Sequence, residues 1–447
     1  MAGYPTTRLQ VSGHRFLARR MAHALVRGDA RMLDDPLRAQ SISLATGAVL
    51  AVLAVAVCAG LALLRPAGEL GDDPVLLVGE TGAMFVRIEG TLHPVPNLAS
   101  ARLITGAPVQ PRIVSGEAVA RADRGPGVGI PGAPGQLGAP LGLADAQWTV
   151  CDDVRSGTAV IAGAPRPGVV GPGDALLVTP LGASPATTYL LYDGWRARVD
   201  LRHAAVVRAL RLDGVTPRPV SPALLTAIPE VPPIVAPLLP ADATVVAVPR
   251  AGGEDYFLVF ADGVQRIGEV VADLIRFTDS RIGEVPRVAP DDIGSRPVVD
   301  HLPVQTYPRR GGVGTAPVVC ARWRPDDGGT VADTEILTGT RMPTVATPVR
   351  LAQADELGPA IDLVSVPAGR SVFVRSVGLT GGGRSAGSLF LVTDSGVRFG
   401  VRNDDAAAAL GLPGPATLAP WPVLDTLPAG PELSRDAASV LRDALSP

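Results

Sequence analysis

Two short glycine-containing patterns in this 447-residue sequence are of kinds that serve catalysis or phosphate binding in other proteins. The segment from Gly383 to Gly387 matches the nucleophile elbow, Gly-x-Ser-x-Gly, whose serine attacks carbonyl carbons in hydrolases. That serine must lie on a sharp turn that leads from a strand into a helix. Here a glycine-rich turn leads into the apolar segment 389–392, which has the composition of a strand. The order of elements is therefore wrong for a catalytic Ser385.

The second pattern, Gly127, Gly129 and Gly132, has the spacing of the dinucleotide-binding fingerprint. In that fingerprint the glycines join a strand to a helix whose N-terminus binds the pyrophosphate. Pro131 interrupts the pattern here, and the surrounding stretch 125–140 contains six glycines and four prolines. Such a stretch favours neither a helix nor a central strand. We interpret it as a stiff, extended connector, in preference to a ligand-binding loop.

The basic residues exclude further kinds of chemistry, because all 40 of them are arginines. Without lysine there is no Walker A lysine for a nucleotide phosphate, no Ser-x-x-Lys pair and no Schiff base. The three histidines that follow position 65, which are His93, His203 and His301, lack the paired spacing of a metal site. We therefore predict no catalytic, cofactor-binding or metal-binding residues. The sequence favours a function that is not enzymatic.

A long uncharged segment, residues 39–64, predicts a helix that crosses a membrane. Its 26 residues span roughly 39 Å as an α-helix, which exceeds the ~30 Å of a hydrocarbon core. Asp34 or Asp35 can cap this helix, and Pro36 suits its first position. The helix is therefore expected to begin before the bilayer does.

The charges on either side of this segment predict its orientation. The first 40 residues contain seven arginines and three aspartates, whereas Glu69, Asp72 and Asp73 follow the segment. By the positive-inside rule, residues 1–38 are cytoplasmic and residues 65–447 lie outside. A cleavable signal peptide is the alternative, but its apolar region would be shorter, about 7–15 residues. The charge asymmetry thus indicates a single-pass topology and no nucleic-acid partner.

The first region, over residues 11–27, predicts a basic amphipathic helix that Gly28 ends. Its apolar residues near helical spacing are Val11, Leu17, Met21 and Leu25. The arginines around them, and the candidate docking residues, are Arg15, Arg19, Arg20 and Arg27. Two alternatives remain open for these arginines. They bind anionic lipid head groups, or they bind a cytoplasmic partner protein.

The three cysteines have different predicted fates. Cys58, with Gly60, resembles a lipoprotein cleavage site, but bulky Val57 precedes it deep in the apolar segment. We therefore expect Cys58 to stay a free thiol in lipid. Cys151 and Cys320 would lie in an oxidising compartment, where two cysteines without another partner form a disulfide. The chain-entropy model gives that bond at most ~5 kcal/mol of stabilisation, because the closed loop has about 170 residues.

The external part, residues 65–447, is predicted to be an α+β domain, and 47% hydrophobic residues suffice for sizeable cores. One pattern recurs: two apolar strands joined by a glycine-containing turn, and then a capped helix. The four ββα units lie near residues 75–106, 175–212, 255–277 and 388–411. Their irregular spacing predicts separate lobes around a central part. We assign residues 280–380 to that central part, since they contain Cys320 and the apolar segments 361–366 and 372–377.

Individual residues mark the turns and caps of these units. In the first unit the predicted hairpin turn contains Gly82, and Asn97 caps the helix. In the second unit Asp200 is the predicted cap. In the fourth unit the cap is Asn403 or Asp404.

Several stretches of the sequence resemble the EccB family, a membrane component of mycobacterial type VII (ESX) secretion systems. Around the apolar segment the similar stretches are 6–17, 23–27 and 35–41. Beyond it they are 91–104, 129–134, 148–152, 319–323 and 427–434. The resemblance therefore covers nearly the whole chain.

This resemblance implies a location, partners and a function. It implies an inner-membrane protein with a cytoplasmic N-terminus and an elongated periplasmic domain, in which repeats surround a central part. The partners it implies are EccC, EccD and EccE, further copies of the same chain, and membrane lipids. The predicted function is that of a structural subunit of the ESX translocon that links the cytoplasmic, membrane and periplasmic layers.

Two other functions remain as alternatives. Some members of the family are described as ATPases, which would make ATP a cofactor of this chain. The lack of lysine and of a phosphate-binding loop speaks against that alternative. A cell-wall-binding module is the second alternative, and the low aromatic content of 4% counts weakly against it.

Overall fold

The computed structural model describes residues 7–28, 36–64, 70–142, 145, 147–165, 169–182, 187–279, 283–326, 329–382, 386–412 and 414–443. Two compact units make up the chain. Met1–Gly71 and Val114–Ala118 form the N-terminal unit, and Asp72–Ile113 and Val119–Pro447 form the large unit. The predicted caps Asp34 and Asp35, and Ser385 of the elbow pattern, lie outside the described residues.

The described residues contain both helices and strands. The helices are α1 (Arg8–Arg27), α2 (Pro36–Leu64), α3 (Leu98–Thr105), α4 (Gly116–Ala120), α5 (Ala204–Ala209), α6 (Pro222–Thr226), α7 (Glu269–Thr278), α8 (Pro290–Gly294), α9 (Asp404–Leu410), α10 (Trp421–Leu424) and α11 (Arg435–Ala438). The strands are β1 (Val75–Val78), β2 (Met84–Ile88), β3 (Thr91–Val95), β4 (Arg112–Val114), β5 (Gly127–Val128), β6 (Ala139–Pro140), β7 (Trp148–Asp153), β8 (Gly157–Ala162), β9 (Val170–Pro172), β10 (Leu176–Pro180), β11 (Tyr189–Tyr192), β12 (Trp195–Arg198), β13 (Arg218–Val220), β14 (Glu230–Val231), β15 (Thr244–Arg250), β16 (Gly253–Val259), β17 (Val264–Ile267), β18 (Val318–Pro325), β19 (Ala332–Gly339), β20 (Val349–Arg350), β21 (Leu363–Ser365), β22 (Arg370–Val377), β23 (Leu389–Thr393), β24 (Arg398–Val401), β25 (Thr417–Pro420) and β26 (Leu441–Arg442).

The N-terminal unit contains the two longest helices. The N–H of Thr7 donates to Oε1 of Gln10 at 3.0 Å, and this hydrogen bond stabilises the N-terminus of α1. Gly28 ends this helix in the left-handed conformation, at φ 69°, and donates its N–H to the carbonyl of Ala24. Helix α2 begins at Pro36, and its segment Gln40–Gly60 is long and apolar enough to cross a membrane. Among the described residues α2 is the one helix with that property.

Four small sheets of the large unit share a three-stranded antiparallel meander followed by a helix. They define lobe 1 (β1 to β3 with α3), lobe 2 (β10 to β14 with α5 and α6), lobe 3 (β15 to β17 with α7 and α8) and lobe 4 (β22 to β25 with α9 and α10). In lobes 2 and 4 the chain after the helix returns parallel to the first strand of the meander. The equivalent bridge in lobe 3 joins Ala247 and Arg287 in parallel.

A further parallel contact then closes each of these sheets along the third strand of its meander. It is made by β14 in lobe 2 and by the bridges Leu92–Arg124, Val264–Val298 and Val401–Leu433 in lobes 1, 3 and 4. The repeated unit is therefore larger than the predicted hairpin and helix. It includes strands that come from well beyond the helix in sequence.

The prediction for the first unit omitted one strand that the structure contains. Gly82 lies in the connection between β1 and β2, as expected, but α3 follows a third strand, β3. A tight Glu89-Gly90 turn with positive φ at both residues joins β2 to β3. Strand β3 was not predicted because it contains Pro94, and proline is rare in strands. It is tolerated here since β3 ends the strand order β3-β2-β1-β4.

In one unit the predicted helix cap also differs from the structure. Asn97 accepts a hydrogen bond from the backbone N–H of Ser100, so this predicted cap is confirmed. In the fourth unit, where Asn403 or Asp404 was predicted, the cap is Asn403, which accepts from the N–H of Ala406. Asp200 is not a helix cap, because α5 begins only at Ala204. The Asp200 carboxylate instead accepts hydrogen bonds from the backbone and the guanidinium of Arg202.

The central sheet has seven strands in the order β20-β21-β8-β7-β18-β19-β9. It is built from two stretches of chain that are distant in sequence, 148–172 and 318–365. The predicted central part, 280–380, was therefore wrong at both of its ends. Helix α8 and Val298 belong to lobe 3, and β22 belongs to lobe 4. A strand's apolar pattern shows that it pairs with something, but not which sheet it joins.

The hydrophobic cores join the lobes in a definite order. One core combines Trp148 and Val319 of the central sheet with Leu191 of lobe 2 and Val374 of lobe 4. A second core combines lobe 1 with lobe 4, and a third combines lobe 2 with α7 of lobe 3. The helices of the lobes contact each other in the same pairs, α3 with α9 and α5 with α7. The lobes thus pack as 1 with 4 and 2 with 3.

Candidate interaction surfaces

Helix α1 displays the predicted docking arginines. Arg15, Arg19 and Arg20 are exposed, and so are apolar side chains such as Leu25, which is 86% exposed. Arg27 is the last helical residue, and its side chain lies outside the described part. At about 100° of rotation per residue, Arg15 and Arg19 lie within about 40° of each other, whereas Arg20 is displaced by about 100° from Arg19. The arginines therefore point in more than one direction around the helix.

The two external cysteines meet at the middle of the central sheet. Cys151 of β7 and Cys320 of β18 are directly opposite each other, with 4.1 Å between their Cα atoms, and their sulfurs are bonded. Both residues are fully buried. The bond therefore joins the two stretches of chain that make up this sheet. Cys58 of α2 is a free, exposed thiol.

The residue after Cys151 holds lobe 2 against the central sheet. The buried carboxylate of Asp152 accepts hydrogen bonds from Ser221 N at 2.6 Å, Ser221 Oγ at 2.7 Å and Thr158 Oγ1 at 3.0 Å. Ser221 is itself the cap of α6, since its Oγ accepts from Leu224 N. Arg218 donates to the backbone carbonyl of Asp152 at 3.0 Å. Asp152, Thr158 and Ser221 are buried and Arg218 is partly buried, so this cluster has a structural role.

The ionisation of Asp152 makes a testable contribution to stability. Burial raises the pKa of Asp152, because desolvation outweighs the hydrogen bonds from Ser221 and Thr158. The folded protein then binds this proton more tightly than the unfolded chain does. The stability from Asp152 is therefore largest below its unfolded pKa of about 3.9 and decreases as the pH rises through its folded pKa.

Substitution of this residue should remove that pH dependence. The side-chain amide of an Asp152→Asn variant cannot ionise. As the pH rises from about 3.5 to about 7, the free energy of unfolding of the wild type should therefore fall relative to that of the variant. Urea unfolding of both proteins across this range measures it, with Asp333→Asn on β19 as the control for an exposed aspartate. If the wild type instead became more stable relative to the variant with rising pH, the inference that burial raises the pKa of Asp152 would be wrong.

The glycine-rich stretch 125–140 packs against the N-terminus of α3. Asn97 donates its Nδ2 to the carbonyl of Ile130 at 2.8 Å, and Ile130 N donates to Ser100 Oγ at 2.9 Å. Since Asn97 Oδ1 also accepts from Ser100 N, the chain itself occupies the first turn of the helix. No room is left in these contacts for a phosphate. The stretch is a packed part of the fold and includes β5 and β6, where a stiff connector was predicted.

One glycine of this stretch is required by its surroundings. Gly129 has φ 134°, and a Cβ there would lie 2.6 Å from Pro96 Cδ and 3.1 Å from Ser100 Cβ. Backbone strain and overpacking together should make Gly129→Ala about 2–4 kcal/mol less stable. Gly135→Ala is the matched control, because a Cβ there meets nothing within 4 Å. Thermal unfolding of both variants tests this, and equal midpoints would show that the packing is wrong.

Arg102 connects lobe 1 to lobe 4. Its buried guanidinium donates through Nε to the carbonyl of Val109 at 3.1 Å and through Nη1 to Leu410, the last residue of α9, at 2.8 Å. Burial lowers the pKa of Arg102, and the carbonyls at a helix C-terminus favour a positive charge. The stretch 91–104, which carried the family resemblance, thus supplies both the α3 cap and this contact.

A large polar cleft of about 1720 Å³ lies between lobes 2 and 3 and strand β19. Its charges are largely paired, since Arg250 and Arg266 both bind Asp255 at 2.9 Å and Arg211 binds Glu269.

The three histidines after position 65 lie in separate places. His301 contacts Asp262 at 3.0 Å, His93 contacts the carbonyl of Pro126, and His203 lies 3.8 Å from Asp200. Across the described ranges no group of His, Cys, Asp and Glu could hold a metal ion.

A family profile matches this chain, which combines a basic helix, an apolar helix and a lobed domain. The family described as "Type VII secretion system ESX-1, transport TM domain B", which is EccB, matches residues 4–447. The chain belongs to the EccB family. A relative named ESX-3 secretion system ATPase EccB3, from Mycolicibacterium smegmatis, is 37% identical over 98% of this chain and 91% of the relative.

Solved EccB structures share the fold. A chain of the EccB3 dimer from the ESX-3 core complex matches with a TM-score of 0.71 and 34% identity, over 82% of this chain and 100% of that chain. A chain in the periplasmic assembly from the ESX-5 inner membrane complex matches with a TM-score of 0.68 and 32% identity, over 86% and 99%. This EccB chain is therefore a structural subunit of a type VII secretion translocon, and in the part of the chain that the structure describes α2 is its one candidate membrane-spanning helix.

Proposed function

We propose that this EccB chain links three layers of its translocon, with α1 in the cytoplasm, α2 in the inner membrane and the large unit in the periplasm. The arginine excess before α2 favours this orientation. The disulfide favours it as well, because Cys151 and Cys320 are bonded and disulfides persist in oxidising compartments. The match to a periplasmic assembly is the single observation that carries the proposal.

The large unit would act in this arrangement as a set of contact surfaces in the periplasm. Four lobes packed on a central sheet present several separate faces, and a solved relative forms a dimer. We propose that copies of this chain associate through such faces in a multi-copy complex, since closed assemblies repeat one interface around an axis. The elongated form that the family resemblance implies is part of the same proposal.

Helix α1 would bind negatively charged partners on the other side of the membrane. The exposed Arg15, Arg19 and Arg20 suit acidic surfaces on EccC, EccD or EccE subunits, or anionic lipid head groups. Arg27 belongs to the same proposed set. Because Arg19 and Arg20 point in different directions, the helix can contact lipid on one side and a protein on another.

Charge reversal in α1 tests this proposal. Arg19→Glu with Arg20→Glu should reduce co-purification of the other translocon subunits in mild detergent by about tenfold, equal to ~1.4 kcal/mol. Membrane insertion should be unchanged, because α2 retains its apolar segment. The matched control is Arg309→Glu with Arg310→Glu, which makes the same charge change on exposed residues of the large unit. Co-purification that equals the wild type would refute docking through α1, and a loss confined to anionic vesicle binding would assign these arginines to lipid.

ATP hydrolysis remains a second candidate function, because the relative from M. smegmatis is named an ATPase. This chain contains no lysine, so the positively charged side chains that contact the phosphates of ATP would all be arginines. Turnover of ATP by the purified full-length chain, free of the other subunits, would establish that candidate. Retention on isolated cell wall would similarly support the cell-wall-binding alternative.

A further inference from the structure

The disulfide between Cys151 and Cys320 lies on one particular face of the central sheet. Side chains alternate between the two faces along a strand. Val150 and Val319 belong to the large core that the sheet shares with lobes 2 and 4, so their neighbours Cys151 and Cys320 face the opposite side. The cysteines there form a separate, smaller core together with Ile161, Val318 and Leu337. The bond is thus part of this small core and not of the large one.

A short loop covers the small core. We call residues 340–346, which lie in the connection from β19 to β20, the strap. The half-buried apolar side chains that pack on the small core are Met342 and Val345 of the strap and Val170 of β9. Pro343 of the strap is buried as well. Two of the three covering side chains therefore come from this one loop.

Few polar contacts hold the strap in place. No backbone–backbone hydrogen bond joins it to another described residue. At its C-terminal end the hydroxyl of Ser365 on β21 accepts from Val345 N and Ala346 N, both at 3.2 Å, and donates to the Ala346 carbonyl at 3.1 Å. At its N-terminal end Arg155 donates to the carbonyl of Thr340 at 3.4 Å. A segment of this kind opens locally at a lower free energy than the unfolding of the whole domain.

The chemistry of a disulfide selects its partner. The group that attacks a disulfide sulfur in thiol–disulfide exchange is a thiolate, and the rate depends on access to that sulfur. Cys151 and Cys320 are both 0% exposed, so a thiolate on another molecule cannot reach them while the strap is closed. Access requires that either the strap or the whole sheet opens. The contacts of the strap favour the first route.

We propose that the strap is a lid over a thiol–disulfide exchange site, and that its opening lets an external dithiol–disulfide oxidoreductase act on Cys151 and Cys320 in the otherwise folded large unit. The inference rests on the proposed periplasmic location, since disulfides form in oxidising compartments. The thiolate of one cysteine attacks the disulfide of the enzyme, which gives a mixed disulfide and one enzyme thiolate. The thiolate of the other cysteine then attacks the mixed disulfide, which closes the Cys151–Cys320 bond and releases the second enzyme thiolate. Two protons leave the cysteines, and two electrons reduce the enzyme disulfide to a dithiol.

This route allows the bond to close late in folding. The two cysteines are 169 positions apart, and lobes 2 and 3 lie between them in sequence. With the strap open, the bond can be formed or restored after both lobes have packed on the central sheet. Access through the opposite face would instead require the large core to come apart, because that core covers the other side of β7 and β18.

The test measures reduction of the bond in the full-length chain, in mild detergent and without denaturant. Dithiothreitol and reduced thioredoxin are the two probes, and the thiols released at Cys151 and Cys320 are alkylated and quantified by mass spectrometry. Ser365→Ala should raise the rate at least about tenfold, because loss of a buried hydrogen-bonding hydroxyl favours the open strap. Met342→Ala with Val345→Ala should raise it as well, since the apolar cover is removed.

Two controls separate strap opening from unfolding. Val349→Ala removes the same atoms as Val345→Ala, but Val349 lies beyond the strap on β20 and is 40% exposed, so the rate should stay at the wild-type value. Urea below the unfolding transition should change the wild-type rate only slightly, because opening of a short strap exposes little surface. Reduction that needs global unfolding would accelerate steeply with urea.

A steep urea dependence in the wild type would refute strap opening, and so would strap variants that are reduced at the wild-type rate. Reduction by dithiothreitol but not by thioredoxin would refute an enzyme as the partner. Failure of the periplasmic location is recognised separately, because a topology reporter after residue 38 would then be external while the purified chain would still show exchange that depends on the strap.

Discussion

Joint replacement of Cys151 and Cys320 by alanine is expected to lower the free energy of unfolding of the large unit by up to about 5 kcal/mol. The bond spans 169 residues, and the loop it closes contains all of lobes 2 and 3. Without it the unfolded chain gains the entropy of that loop. The folded state also loses the covalent link between β7 and β18, the two strands at the middle of the central sheet.

Denaturant unfolding of the full-length protein measures this effect. Cys58→Ala is the matched control, because Cys58 is a free thiol in α2 and should leave the unfolding of the large unit unchanged. Chemical reduction of the wild type should produce the same shift as the double substitution. A double variant as stable as the wild type would mean that pairing in the sheet suffices without the bond.

A chain that ends at residue 71 is expected to restore no ESX secretion to a strain that lacks this subunit. Such a chain keeps α1 and α2, so it should still enter the membrane and still bind partners through α1. It lacks all four lobes and the central sheet, and with them the proposed periplasmic contacts between copies. Secretion should fall to the level of the deletion strain.

The measurement is the amount of exported substrate in culture filtrate, with membrane fractionation to confirm insertion of the short chain. The full-length chain with Gly135→Ala serves as a control for expression, because that substitution meets no neighbouring atoms. Export restored by the short chain would refute the structural role of the large unit.

Local signals in the sequence were sufficient where a feature depends on neighbours along the chain. Asn97 and Asn403 were recognised as caps because a cap bonds only to a backbone N–H three residues further on. The Asp193-Gly194 turn lies between β11 and β12, as a dipeptide of that kind predicts for a hairpin. Asp200 failed as a cap for an equally local reason, because Arg202 competes for its carboxylate.

Apart from the Cys151–Cys320 disulfide, which the two external cysteines predicted, features that depend on distant parts of the chain were not visible in the sequence. The segment 372–377 was recognised as strand-forming, but its partners are β23, β25 and β6, which place it in lobe 4. The stretch 125–140 was interpreted as a connector, yet Asn97, the cap of α3, donates a hydrogen bond to Ile130 within it. The ring of Trp421 contacts Phe390 and Arg398, which precede it by more than 20 residues.

The sequence by itself determined the apolar segment of α2, the arginine excess before it, and the helix and hairpin signals of the external domain. Each of these follows from residue type and short-range spacing, since burial in lipid and hydrogen bonding within a turn need no distant partner. Only the tertiary structure decided which strands share a sheet, which lobes share a core, and which charged and aromatic groups meet. Strand pairing and core packing join residues that are far apart in sequence, and many partners of similar apolar pattern compete for each strand.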